Sequence, residues 1–193
     1  FLTVVLFLNG EFQVFAGNLS GPANNDSQTI NLVLPENGGK FENELSDYTE
    51  RRGYGVVNLT NGVTKEVGWS SKPQPDQENP QEFVYSFKDG KPALLDNVVI
   101  HGVKAKKGKF SSKEVEVLIS TNGRDFSFVA GGELPRKGKY SITLDMNSVQ
   151  AAYVKLVIKS GYNQKYWQLA EFVVNGTFAD TNLPCLLYTS PSP

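Results

Sequence analysis

Period-two alternation of apolar residues, interrupted at short intervals by turn-forming pairs, is the feature that most narrows what this chain can become. Phe83, Tyr85 and Phe87 fall on one face of a strand, with Glu82, Val84 and Ser86 on the other. Val115, Val117 and Ile119 alternate with Glu114, Glu116 and Leu118. Val154, Leu156 and Ile158 alternate with Tyr153, Lys155, Val157 and Lys159. A two-residue repeat sends one set of side chains into a core and leaves the other set wetter. The runs are separated by Asp89-Gly90, Asn122-Gly123, the segment from Pro135 to Gly138, and Ser160-Gly161, all residues that favour turns. No long stretch keeps a helical period. Short strands without helices predict an all-β sandwich. Its expected core comprises Leu32, Phe83, Phe87, Val99, Val117, Ile119, Phe126, Val154, Leu156 and Phe172.

The foldable region runs over 30–176. The Gly-, Asn- and Ser-rich segment 17–29, with Pro22 and Asp26, offers almost nothing to bury and reads as a linker. Segment 1–16 opens with the apolar run Phe1 to Leu8 and ends in Val14-Phe15-Ala16. It is expected to be a truncated signal peptide, cleaved near Ala16. The competing reading is a first core strand, since Glu11 sits poorly beside a membrane-seeking run. Segment 177–193 reads as a linker followed by a tail foreign to the domain. Cys185 to Pro193 resembles translated sequencing adapter, so the native chain, with further domains, is expected to continue past about Pro184. Without Cys185 the polypeptide has no cysteine. For a secreted, extracellular or cell-envelope protein, that favours a bacterial source over a disulfide-rich style. No second run is long enough for a stable membrane span.

Nineteen basic and twenty acidic residues leave a net charge of -1, which speaks against nucleic acid as a partner, because phosphates demand an excess of Lys and Arg. One His and one Cys exclude a Cys/His zinc site and an intrachain disulfide. A Ser-His-acid triad would have to use His101, which sits in an apolar run. Neighbouring acids such as Glu42/Glu44 and Asp47/Glu50 have no accompanying nucleophile or base. The chain is therefore expected not to be an enzyme. The lysine-rich run from Lys104 to Lys109 is adequately explained as a solvated loop.

Five motifs occur in a recognisable order. They are Asn31-Leu32-Val33; Leu59-Thr60-Asn61-Gly62 with Trp69-Ser70-Ser71; Pro80-Gln81-Glu82-Phe83 with Val98-Val99-Ile100-His101-Gly102; the hairpin Val117 to Phe126; and the closing pair Ala152-Tyr153-Val154-Lys155-Leu156 and Leu169 to Gly176. In this order they resemble the discoidin, or coagulation factor V/VIII type C, family and the related family 32 carbohydrate-binding modules. The resemblance implies a galactose-binding-domain-like jelly roll of about eight strands, with binding loops gathered at one end. It also implies a non-catalytic module that targets its host protein to a glycan or cell-surface glycoprotein. Two other roles remain open: a surface-adhesion domain without a sugar site, and a packing partner of a hydrolase.

Many relatives hold a structural calcium between the Asp-Gly turn and the closing Glu, which here implicates Glu171 and Asn61. Three departures bear on the resemblance. Asn61 and Asn122 replace the usual Asp of an Asp-Gly turn, Asn61 to Trp69 is one residue longer than usual, with Val67 near the place of a common Thr, and no Arg precedes Tyr153. Losing the charge of an Asp at position 61 should weaken a calcium site, and Glu171 capping backbone amides is the alternative. For sugar binding, which needs aromatic faces and planar hydrogen-bonding groups, the candidates are Tyr48, Arg51, Arg52 and Tyr54 in one loop and Tyr166 and Trp167 in another. Strand neighbours point to opposite faces, so at most one of Tyr166 and Trp167 can face a given groove. Trp69, beside the Ser-Ser strand start, is expected to pack rather than bind.

Overall fold

A computed structural model describes residues 28–43 and 53–179, together with the backbone of 7–8 and 11–12. Ten strands among these residues build two antiparallel sheets. In chain order they are β1 (Ile30–Asn31), β2 (Lys40–Phe41), β3 (Trp69–Ser70), β4 (Gln81–Ser86), β5 (Ala93–Gly102), β6 (Glu114–Ser120), β7 (Ser127–Glu133), β8 (Ser141–Ala151), β9 (Tyr153–Ile158) and β10 (Gln168–Phe178). One sheet runs β8-β5-β10-β1, with β3 also pairing β10; the other runs β2-β4-β9-β6-β7. The strand count exceeds the expected eight, and three of the ten, β1, β2 and β3, are only two residues long. Such short pieces carry too little alternation to be seen in sequence.

The sheets close over an apolar interior to which β4 contributes Phe83 and Tyr85, β6 Val115 and Val117, β9 Val154, Leu156 and Ile158, and β10 Phe172 and Val174. Trp69 of one sheet meets Phe83 of the other edge-on, with centroids 4.9 Å apart. Phe172 and Tyr85 meet at a tilt of 38°, with centroids 5.7 Å apart. Aromatic contacts of these kinds add to the burial of large rings.

Most of the expected core is buried, but three positions differ. Val99 is only partly buried, whereas Val98 and Ile100 are buried. The reason is a bulge: Leu95 faces Gly176 and Asn97 faces Asn175, so Asp96 is an extra residue. The inward set therefore changes from Ala93 and Leu95 to Val98 and Ile100, as an inserted residue must cause in a period-two strand. Ile119 lies partly buried against the core. Phe126 is only partly buried, with the Lys155 ammonium 4.8 Å from its ring centre.

The fold also passes the expected boundary at Gly176. β10 continues to Phe178, and the N–H of Ala179 donates to the Pro92 carbonyl at 3.1 Å. Within segment 1–16, Phe7–Leu8 pairs with Glu11–Phe12, apart from either sheet. The rest of that segment, the linker before residue 28 and the tail from 180 onward lie outside the described residues.

β5 ends where β10 begins, and β9 ends beside the start of β6. The segments 53–68, 71–80, 103–113 and 159–167 consequently gather at one end of the sandwich. Backbone contacts lock them together. Ser71 N–H donates to the Trp167 carbonyl at 2.8 Å, Gln74 N–H to that of Lys165 at 3.0 Å, and Tyr162 N–H to that of Ser111 at 3.0 Å.

The packing makes a direct prediction. Leu156→Ala, at a fully buried position, should cost about 2–5 kcal/mol in denaturant unfolding. Val99→Ala should cost about 1 kcal/mol or less, as expected for a side chain off the core. Equal losses would mean that the bulge does not set the phase of β5.

Candidate functional site

At the loop end, three aromatic side chains line one cleft of about 290 Å³: Tyr54, Phe110 and Tyr166, joined by Val67, Lys106, Lys165 and Gln168. Tyr54 and Tyr166, one from each of the two loops expected to carry the site, thus border the same cleft. Both rings are partly exposed. Phe110 packs edge-on against Tyr166, with centroids 5.8 Å apart and planes at 71°. Lysine ammoniums crowd these faces: Lys106 lies 5.5 Å and Lys109 5.7 Å from the Phe110 ring centre, and Lys165 lies 5.6 Å from that of Tyr166.

Alternation at the start of β10 separates Tyr166 from Trp167. Trp167 is 3% exposed and belongs to the core cluster. Its N–H donates to the Ser71 hydroxyl at 2.9 Å, and its indole lies so close to Gly161 that any side chain there would overlap it. Trp167 is therefore a structural wedge under the loop and not the sugar-stacking face expected from sequence. Tyr48, Arg51 and Arg52 lie outside the described residues. Phe110, Lys106 and Lys109 lie in or beside the run that its composition alone marks as a solvated loop. A lone aromatic directly after four lysines was the available signal. Beyond the loop 161–167, a wide open groove of about 1130 Å³ is lined by Gln74, Asp76, Glu78, Asn163 and Gln164 among others.

Glu171 occupies a different environment. It is fully buried on β10 and accepts the Gly62 N–H at 2.9 Å through Oε1. Burial pushes its carboxyl up to about 7, against the downward pull of backbone N–H groups of Gly62, Asn61 and Val63. Oε2 is buried with no partner among the described residues. The expected companion, Asn61, is exposed, and its Oδ1 accepts the Val63 N–H at 2.9 Å.

An orphaned carboxylate oxygen is something a cation would satisfy, but the acidic side chains among the described residues do not by themselves supply a calcium cage. Calcium takes six to eight oxygens. Among the described residues no cluster of acidic side chains could hold a metal, and Oε1 is committed to N–H donors. The arrangement instead matches a carboxyl that fastens the 61–63 turn onto β10 and takes a proton near neutrality.

Two expectations follow for solution. A buried carboxyl whose folded-state pKa lies above its unfolded value stabilises the fold in its protonated form, so stability falls as pH rises from about 4.5 through about 7. The stability difference between wild type and Glu171→Gln should therefore change by on the order of 3 kcal/mol between pH 4 and pH 8, moving in favour of Gln. Taking the difference removes His101, whose pKa burial lowers and whose slope has the opposite sign. A difference independent of pH would place the carboxyl in water. Second, melting temperatures in calcium and in chelator should coincide, and a clear rise with calcium would restore the metal.

Comparison with known proteins agrees with this architecture. Among solved structures, CpGH89CBM32-5 from Clostridium perfringens, in complex with GalNAc-β-1,3-galactose, superposes with a TM-score of 0.58 at 24% identity, covering 76% of this chain and 99% of its own. The family 32 module of NanJ from the same organism, in complex with galactose, gives 0.57 at 16% identity, covering 77% and 99%. A fragment of a putative chitobiase from Bacteroides thetaiotaomicron gives 0.62 at 18% identity, covering 82% and 98%. No curated protein matches the chain. The F5/8 type C domain model matches residues 44–172, two thirds of the sequence and most of the sandwich, and the chain belongs to the F5/8 type C domain family.

Proposed function

We propose that this domain is a non-catalytic carbohydrate-binding module of a secreted or cell-surface bacterial protein, holding its host at a glycan. The observation that carries this reading is the cleft at the loop end, where Tyr54, Phe110 and Tyr166 present partly exposed rings beside the amide of Gln168. A sugar offers an apolar C–H face for stacking and a rim of hydroxyls for hydrogen bonds, and this mixture of groups suits both. Structures similar to this fold support the reading, since two of them were solved with galactose-containing ligands. Attachment to a longer chain gives such a module its use. It raises the local concentration of a neighbouring domain at the target and performs no chemistry itself.

The cleft is small, about 290 Å³, so affinity should rest on a few good contacts rather than on buried area. Tyr166→Ala and Tyr54→Ala should each weaken retention on an immobilised glycan array while leaving the melting temperature within a few degrees of wild type, because neither ring belongs to the core. Trp167→Ala should do the reverse and destabilise the fold by about 3–5 kcal/mol. A folded domain that binds no glycan yet captures a protein from an envelope extract would favour adhesion instead.

A further inference from the structure

We propose that the sugar taken by the Tyr54–Phe110–Tyr166 cleft carries a negative charge, a carboxylate or a sulfate, read by Lys106, Lys109 and Lys165. This rests on the sugar-binding reading and specifies which sugars that site selects.

The argument begins with charge placement. The chain as a whole is nearly neutral, yet from Asn97 through Lys113 it carries five lysines and no Asp or Glu. The fold brings this segment against Lys165, so cations from two loops border one cleft. Among the described residues no carboxylate lines the cleft. Glu66 borders the adjoining hollow beyond Tyr54 and Val67, and Asp76 and Glu78 line the groove on the far side of Lys165. Lys40, Lys113, Lys155 and Lys159 each pair with a glutamate at 2.7–3.3 Å. Among the described residues Lys106, Lys109 and Lys165 have no such partner, and their recorded contacts are the aromatic faces.

The lysines are also presented from a shaped turn. Lys106 and Lys107 have φ of 50° and 56°, a left-handed conformation that is costly for a residue with a Cβ. The turn is held by the Gly108 N–H on the Lys104 carbonyl, the Lys109 N–H on that of Lys106 and the Ser111 N–H on that of Gly108, at 3.2–3.3 Å. A sugar stacked on Phe110 or Tyr166 would lie within the reach of these ammoniums. A neutral sugar would draw only hydrogen bonds from them, whereas an anionic one gains a charge-assisted bond at each.

The test compares three polymers of one hexose: neutral galactan, polygalacturonate and carrageenan, which differ in bearing no charge, a carboxylate or a sulfate. Dissociation constants for the intact protein are read by affinity electrophoresis in low salt and in about 1 M salt, where the Debye length contracts to about 3 Å. The anionic polymers should bind at least about tenfold more tightly than galactan in low salt, and most of that advantage should vanish in high salt. The tighter of the two identifies the anion. Lys106→Gln and Lys165→Gln should each cost about two- to fivefold on the anionic polymer, the scale of an exposed ion pair. Lys91→Gln, at the opposite end of the sandwich, should cost nothing, and unchanged melting temperatures exclude misfolding. Galactan binding as tight as that of the charged polymers, or lysine variants indistinguishable from Lys91→Gln, would overturn the inference. If galactan retention is then lost in Tyr166→Ala, the sugar-binding reading stands and only the charge assignment falls. Retention of no polymer would sink both.

Discussion

The contact between the sheets, where Trp69 and Phe172 from one face Phe83 and Tyr85 from the other, is what the remaining structure rests on. These rings are fully buried, and each large side chain removed from water contributes on the order of 2–3 kcal/mol. β3 contains only Trp69 and Ser70, too short to be stable as a strand alone. It is held because its Trp fills the interior while its backbone pairs with Gln168 and Leu169. That pairing places the start of β10, and the start of β10 places Tyr166 and Trp167.

The same seam concentrates polar groups that the fold leaves incompletely satisfied. Trp69 Nε1, the Tyr85 hydroxyl and Glu171 Oε2 are buried without hydrogen-bond partners among the described residues. Burial raises the pKa of Tyr85, with the Glu171 charge adding to it. Stranded polar atoms cost free energy in a medium of low polarity. A proton on Glu171 removes the largest of these costs, while Oε1 retains its hold on the Gly62 N–H. The carboxyl thus trades solvation for a fixed turn, and the 53–68 segment that carries Tyr54 is held in place by that turn.

Rigid support matters to a small site. A module that gains little from buried area cannot also afford to order its loops on binding. Here Trp167 is wedged against Gly161, Ser71 bridges to Trp167 through both backbone and hydroxyl, and the Tyr162 hydroxyl donates to the Leu134 carbonyl at 2.7 Å. The loops that surround the cleft are therefore braced before any ligand arrives. Loop residues facing outward remain free to vary in charge and size, which is how one sandwich supports many specificities.

The sequence alone determined the sheet class, because alternation in Phe83 to Phe87, Val115 to Ile119 and Val154 to Ile158 can bury an apolar face only in strands. Motif order from Asn31 to Gly176 was enough to indicate the family, and Glu171 stood out as a carboxyl in apolar company. What sequence could not decide were matters of phase and pairing across distance. The three consecutive apolar residues Val98 to Ile100 have no alternation to read, so only the bulge at Asp96 shows which of them face inward. Tyr166 and Trp167 are adjacent and chemically alike, and only the docking of β3 against β10 buries one and leaves the other at the cleft. Phe110 and its lysines look like an ordinary solvated loop until the crossover of chain segments brings them beside Tyr54 and Tyr166. Local patterns report the face a residue takes within its own strand. Which faces then meet is set by tertiary packing, where contacts join residues more than fifty positions apart.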